Sequence, residues 1–146
     1  MSASEDFLSV SEEHAIVEAI KQAETNTSGE IRVHLEDHSD KPPLERAQEV
    51  FLSLGMNQTA ARNGVLFYVG VSDHHFAILG DEGINKVVDA NFWNSTKDLV
   101  LEHFKRGENK EGLVQGILKA GQELKNFFPY CADTDQDELS NEISRG

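Results

Sequence analysis

The stretch that most constrains the fold is residues 62–84, RNGVLFYVGVSDHHFAILGDEGI. Gly64–Val71 is a continuous apolar run, the pattern of a strand buried on both faces. Val71-Ser72-Asp73-His74 supplies turn residues. Phe76-Ala77-Ile78-Leu79 is a second apolar run, long enough for a strand and too short for a stable helix. The pair predicts a hairpin at the centre of a sheet. Gly80-Asp81-Glu82-Gly83 follows, with two glycines flanking two carboxylates where the chain leaves the sheet.

The preceding residues extend this sheet. Ser9 and Glu12 have capping-box spacing, and Ile16, Ala19, Ile20 and Ala23 recur at helical intervals, which predicts a helix over residues 10–24. Glu30–Glu36 alternates strictly, with Ile31, Val33 and Leu35 on one side, and predicts a strand with one covered face. Pro42-Pro43 opens a second helix through Leu44, Ala47, Val50, Phe51 and Leu54, and Gly55 closes it. Strand, helix and strand in so short a span predict a crossover, with strand 30–36 parallel to strand 64–71. The hairpin then makes strand 76–79 antiparallel, so the sheet is mixed.

This topology has a consequence for function. Ser28, Gly29 and Glu30 start the first strand, Arg62, Asn63 and Gly64 start the second, and Gly80, Asp81 and Glu82 end the third. All three segment ends fall at one edge of the sheet. The opposite edge collects Glu36, Asp37, His38, Asp73 and His74.

Beyond the acidic loop, Ile84, Val87 and Val88 predict a short helix. Phe92-Trp93 is a large apolar step, better suited to the core than to an exposed patch. Ser95 or Thr96 caps a helix running through Phe104. Residues 110–128 form the last helix, where Gly112, Gly116 and Gly121 suit close packing, and Pro129 ends it. Residues 1–130 read as a single domain whose first eight residues are frayed, and residues 131–146 as an acidic, flexible tail.

Composition narrows the partners. Net charge is −13, from 26 acidic and 13 basic residues, which argues against nucleic acid or an anionic membrane and permits cations, a basic partner or simply a solvated, soluble surface. The one cysteine, Cys131, excludes an internal disulfide and a cysteine-rich zinc site. The N-terminus MSASEDF lacks a signal-peptide pattern, and no run of about eighteen apolar residues occurs, so no transmembrane segment is expected. A cytoplasmic monomer is the expectation.

Asp81 and Glu82 offer carboxylates on a permissive backbone, suited to calcium or magnesium, and Glu30 could join from the neighbouring strand. Asp81 could instead cap the helix beginning near Ile84. Asp133-Thr134-Asp135-Gln136-Asp137 opens like a calcium loop but places Glu138 where glycine is needed and Ser144 where glutamate is needed. His34, His38, His74 and His75 lie on opposed faces or in loops and fit zinc poorly. Neither a nucleophile elbow nor a phosphate loop with lysine occurs.

Taken together, Ser28-Gly29-Glu30-Ile31, Arg62-Asn63-Gly64-Val65-Leu66, Gly80-Asp81-Glu82-Gly83-Ile84, Phe92-Trp93, and Gly112-Leu113 with Gly116-Ile117 resemble a TPM domain over roughly residues 8–130. That family includes thylakoid lumen proteins of photosystem II repair and small stand-alone bacterial members, which this chain is most similar to. The resemblance implies an α/β/α sandwich, a small mixed sheet with helices on both faces. Some members bind calcium or other divalent cations, plant relatives are described as acid phosphatases, and others are accessory factors. The expected function is therefore binding of a divalent cation, Ca2+ or Mg2+, in a regulatory or accessory role. Glu30, Asp81 and Glu82 would be ligands, Asn63 would orient them, and Arg62 would balance their charge or receive an anionic group. The alternatives are a metal-dependent phosphatase and a metal-free module in which Phe92, Trp93 and the tail dock a protein partner.

Overall fold

The computed structural model describes residues 3–130 and 139–146. The Asp133–Asp137 motif lies outside those residues. In chain order the elements are α1 (Ala3–Asp6), α2 (Val10–Ala23), β1 (Glu30–Glu36), α3 (Pro43–Ser53), β2 (Gly64–Gly70), β3 (His75–Gly80), α4 (Glu82–Asn85), α5 (Asn94–Lys105), α6 (Asn109–Leu124) and β4 (Ser144–Arg145), with a 3-10 turn at Met56–Gln58.

The sheet order is β3-β2-β1-β4. β1 runs parallel to β2 in the register Glu30 to Gly64 through Glu36 to Gly70, and β3 is antiparallel to β2. The hairpin and the crossover predicted from the apolar runs are both present. β2 is buried along its whole length, as a run without polar residues requires.

Two layers of helix cover the sheet. On one face Ile31, Val33, Leu35, Val65, Phe67, Val69, Phe76 and Ile78 join Ile16, Ile20, Val100, Leu113 and Ile117 from α2, α5 and α6 in the larger core. On the other face Leu66, Tyr68 and Ala77 pack against Ala47, Val50 and Phe51 of α3 and against Met56. The result is an α/β/α sandwich.

Local chemistry sets the helix limits. Ser9 and Glu12 form the full capping box of α2. Pro43 sits in the first turn of α3, and Gly55 beyond its end takes the left-handed φ of +69°. The α6 glycines pack mainly on helices. A Cβ on Gly116 would come within 2.4 Å of Val100 Cγ2 and 3.2 Å of Phe67 Cε2, so glycine there lets α6 approach α5 and the sheet together.

Several expectations need correction. Residues 3–8 are ordered into the domain: Ser4 N donates to Asp37 Oδ1 at 2.6 Å, Leu8 is buried, and Phe7 meets Phe104 edge-on with centroids 5.7 Å apart. α5 starts at Asn94 with no side-chain cap, and Thr96 instead bonds Glu123 on α6. α6 ends at Leu124 rather than at 128; the chain then turns, with Phe127 N and Phe128 N both donating to the Leu124 carbonyl, and Thr27 bridges to Pro129. β1 is covered on both faces rather than one. The segment 139–146 is no loose tail, since Ser144–Arg145 adds a fourth strand beside β1. Two residues carry no period, so this strand left no pattern in the sequence. Among the described residues no helix is long and apolar enough to cross a membrane.

Candidate functional site

The three segment ends meet as the topology requires. Glu30 pairs with Gly64, and Asp81 N donates to the Gly64 carbonyl at 2.9 Å. Strand alternation puts Glu30, Gly64 and Asp81 in a row on the α3 face. Gly64 stands between the two acids and is closely packed: a Cβ there would lie 3.1 Å from the Met56 carbonyl oxygen and 3.7 Å from Phe51 Cζ.

Each carboxylate has a defined environment. Asp81 is 6% exposed and accepts two parallel hydrogen bonds from Arg62, Nε to Oδ2 at 2.7 Å and Nη2 to Oδ1 at 3.0 Å. It also accepts the Glu82 N–H at 2.8 Å and so caps α4. The capping role foreseen for Asp81 is therefore present together with an ion pair. Glu82 is exposed, 3.6 Å from Arg62 Nη1 and 3.7 Å from Lys86 Nζ. Glu30 is buried and its Oε1 accepts the Leu139 N–H at 2.7 Å. Asn63 does not reach the acids; its amide donates to Ser28 Oγ at 3.3 Å, tying the starts of β1 and β2 together.

Arg62 turns toward Asp81 from a left-handed backbone, φ +52°. The hydrogen bonds it donates to Asp81 raise its pKa above the ordinary arginine value. Gly83 allows the close approach behind it: a Cβ would lie 2.3 Å from the Ala61 carbonyl and 2.5 Å from that of Arg62. Among the described residues, no group of three or more His, Cys, Asp or Glu side chains stands ready to hold a metal ion.

The opposite edge holds a second polar group that the alternation of β1 only hinted at. His34 and Glu36 point to the α3 face and meet Arg46. Glu36 accepts from Arg46 Nε and Nη2, both at 2.9 Å, from Tyr68 Oη, and from His34 Nε2 at 3.0 Å. Burial alone would raise the Glu36 carboxyl, but Arg46, then Tyr68 and His34, outweigh it and bring it down to about 2. Burial lowers the His34 pKa, and the ring bridges two partners, with Nε2 3.0 Å from Glu36 Oε1 and Nδ1 3.0 Å from Ser144 Oγ. Burial, then Glu36, raises the Tyr68 phenol. The legible signal was an arginine on α3 facing two polar side chains of one strand face; the tyrosine hidden in an apolar run gave none. His38 lies apart, exposed, between Asp73 at 2.6 Å and Asp40 at 2.8 Å. Phe92 and Trp93 stack edge-on at 4.7 Å and pack against the larger core, as the apolar step suggested.

The fold and this edge define a small α/β/α domain whose polar residues gather at the two ends of its strands. The family model described as the TPM domain matches residues 1–123, and the chain belongs to that family. It is similar to the NMR structure of the BA42 protein from the psychrophilic bacterium Bizionia argentinensis, with 53% identity, TM-score 0.90, and 96% of each chain covered. The solution NMR structure of the N-terminal domain of a P. gingivalis protein shares the fold, with 21% identity, TM-score 0.67, and 84% of this chain and 79% of that one covered. No curated protein matches.

Proposed function

We propose that this TPM domain binds a divalent cation, calcium in preference to magnesium, in a regulatory or accessory role. The site is the edge where β1 and β2 begin and β3 ends. Asp81 and Glu82 act as ligands, and Glu30 stands across Gly64 as a third carboxylate. The observation that carries this reading is the row Glu30, Gly64, Asp81 on one sheet face, with the Met56 carbonyl close above Gly64. Every donor is oxygen, the chemistry of hard cations.

The pair of Asp81 with Arg62 fits this reading. The carboxylate already attracts a cation, and the guanidinium is the competitor that a metal ion would displace. An irregular set of carboxylates and a carbonyl, completed by water, suits calcium, which tolerates variable coordination; magnesium demands near-octahedral order. A cation bound only by the folded state raises its melting temperature.

Calcium titration followed by amide NMR, beside thermal melting in calcium, magnesium and chelator, tests the proposal. The expected result is shifts at residues 30, 62–64 and 80–83 with a calcium-dependent rise in melting temperature. Shifts confined to residues 133–142, with residue 30 and residues 80–83 unmoved, would refute it.

A further inference from the structure

Residues 143–146 lie along the outer edge of β1, and each position is read by a different feature. Ile143 packs against the larger core. Ser144 pairs with His34 and places its Oγ 3.0 Å from His34 Nδ1. Arg145 pairs with Leu35 and forms an ion pair with Glu13 of α2. Gly146 N donates to the Leu35 carbonyl at 3.1 Å. A Cβ at 146 would stand 2.7 Å from Glu36 Oε1 and 2.9 Å from His34 Nε2, so that position takes glycine.

The rest of this edge is closed to pairing near its start, where Glu24 Oε2 accepts the Ile31 N–H at 3.0 Å. The accepting stretch is thus His34–Glu36. Between α2 and the resident lies a cleft of about 180 Å³, lined by Glu13, His14 and Val17 on one side and by Glu142, Ile143 and Arg145 of the tail on the other. Glu13, which pairs with Arg145, is the acidic group that α2 offers a cationic residue on this edge, and the chain carries a net charge of −13.

We propose that this edge is a strand-addition groove for an extended basic peptide of another protein, with residues 143–146 as its exchangeable resident. The pattern read is apolar, hydroxyl, cationic, glycine. In strand addition main-chain bonds supply affinity and alternate side-chain pockets supply specificity, and both are present here. Only two residues of the resident pair in register, so it opens at low cost compared with the core strands. A second copy of the chain is the poorer occupant, because it brings a second strongly acidic domain. The groove lies at the opposite strand ends from the cation site, and the segment that carries the resident also reaches Glu30 through Leu139 N.

The probe is a fluorescein-labelled Lys-Lys-Ile-Ser-Arg-Gly peptide, titrated into the full chain and into its Gly146→Val variant. Valine would crowd the Glu36 and His34 side chains and is expected to undock the resident while the β1–β2 pairing is kept. The peptide is expected to bind the variant about tenfold or more tighter than the wild type, because a tethered competitor has been removed. Amide shifts should centre on residues 34–36 and Glu13, and a probe ending in valine should bind neither protein. Ser144→Pro, which removes a strand N–H, should act as Gly146→Val does, and unchanged circular dichroism shows that both variants fold. Equal affinity for wild type and both variants, no binding to either variant, or shifts away from β1 would overturn the proposal. So would a concentration-dependent dimer that excludes the peptide, since the occupant would then be a second copy.

Discussion

Arg62 and Asp81, nineteen positions apart, form a two-bond ion pair at the mouth of the sheet edge, with donor–acceptor distances of 2.7 and 3.0 Å. Such parallel pairing fixes geometry as well as charge. At the proposed cation site, Arg62 both stabilises the cation-free domain and competes with the ion for Asp81.

Arg62→Gln should therefore lower the melting temperature in chelator and enlarge the calcium-induced rise. Calcium affinity should increase roughly thirtyfold, since one unit charge about 4 Å from a divalent ion costs about 2 kcal/mol in a water-like dielectric. Calorimetric titration measures it. Affinity unchanged by the substitution would mean the ion does not bind at Asp81.

Asp81→Asn separates the two jobs of that side chain. Asparagine caps a helix about as well as aspartate, so α4 should persist. The calcium response should vanish while the fold is retained. An undiminished calcium shift at residues 80–83 would remove Asp81 from the ligand set.

The Glu36 cluster should govern acid stability. The folded-state pKa of Glu36 lies at about 2 against an ordinary 4.5, so its contribution is complete above pH 4.5 and is lost as pH falls toward 2. His34 acts in the same direction. Its pKa is lowered by burial, so its contribution is present above 6.5 and declines as pH drops below that value. Urea midpoints should fall from pH 7 to pH 3, and Glu36→Gln should flatten the lower part of that curve. At pH 7 Glu36→Gln should cost about 1–3 kcal/mol, since a buried neutral amide replaces the carboxylate that accepts from Arg46, Tyr68 and His34, while Arg46 keeps Glu49 at 3.2 Å. A wild-type midpoint independent of pH across this range would show that the cluster does not couple to folding.

Gly116→Ala should destabilise by about 1–3 kcal/mol, the usual penalty for overpacking. The new methyl would collide with Val100, whose branched side chain is fully buried and has little freedom to move. Val100→Ala should recover part of the loss in the double variant, because the two positions touch. Additive losses in chemical denaturation would place the strain elsewhere.

Much of the architecture was legible in the chain itself. The run from Gly64 to Gly70 has no polar residue to turn outward, so it had to be a central strand. The capping box at Ser9, Pro43 in a first turn and Gly55 at a helix end are local choices, decided within a few residues. Because a crossover and a hairpin fix strand directions, even the meeting of Glu30, Gly64 and Asp81 followed from order alone.

What the tertiary structure decided was who holds whom. Arg62 on Asp81, Arg46 and Tyr68 on Glu36, and Ser144 on His34 join residues far apart in sequence. Periodicity reports which way a side chain points, and it is silent on which polar group waits there. β4 was hidden for the same reason: two residues show no alternation, and only the prior presence of β1 makes them a strand.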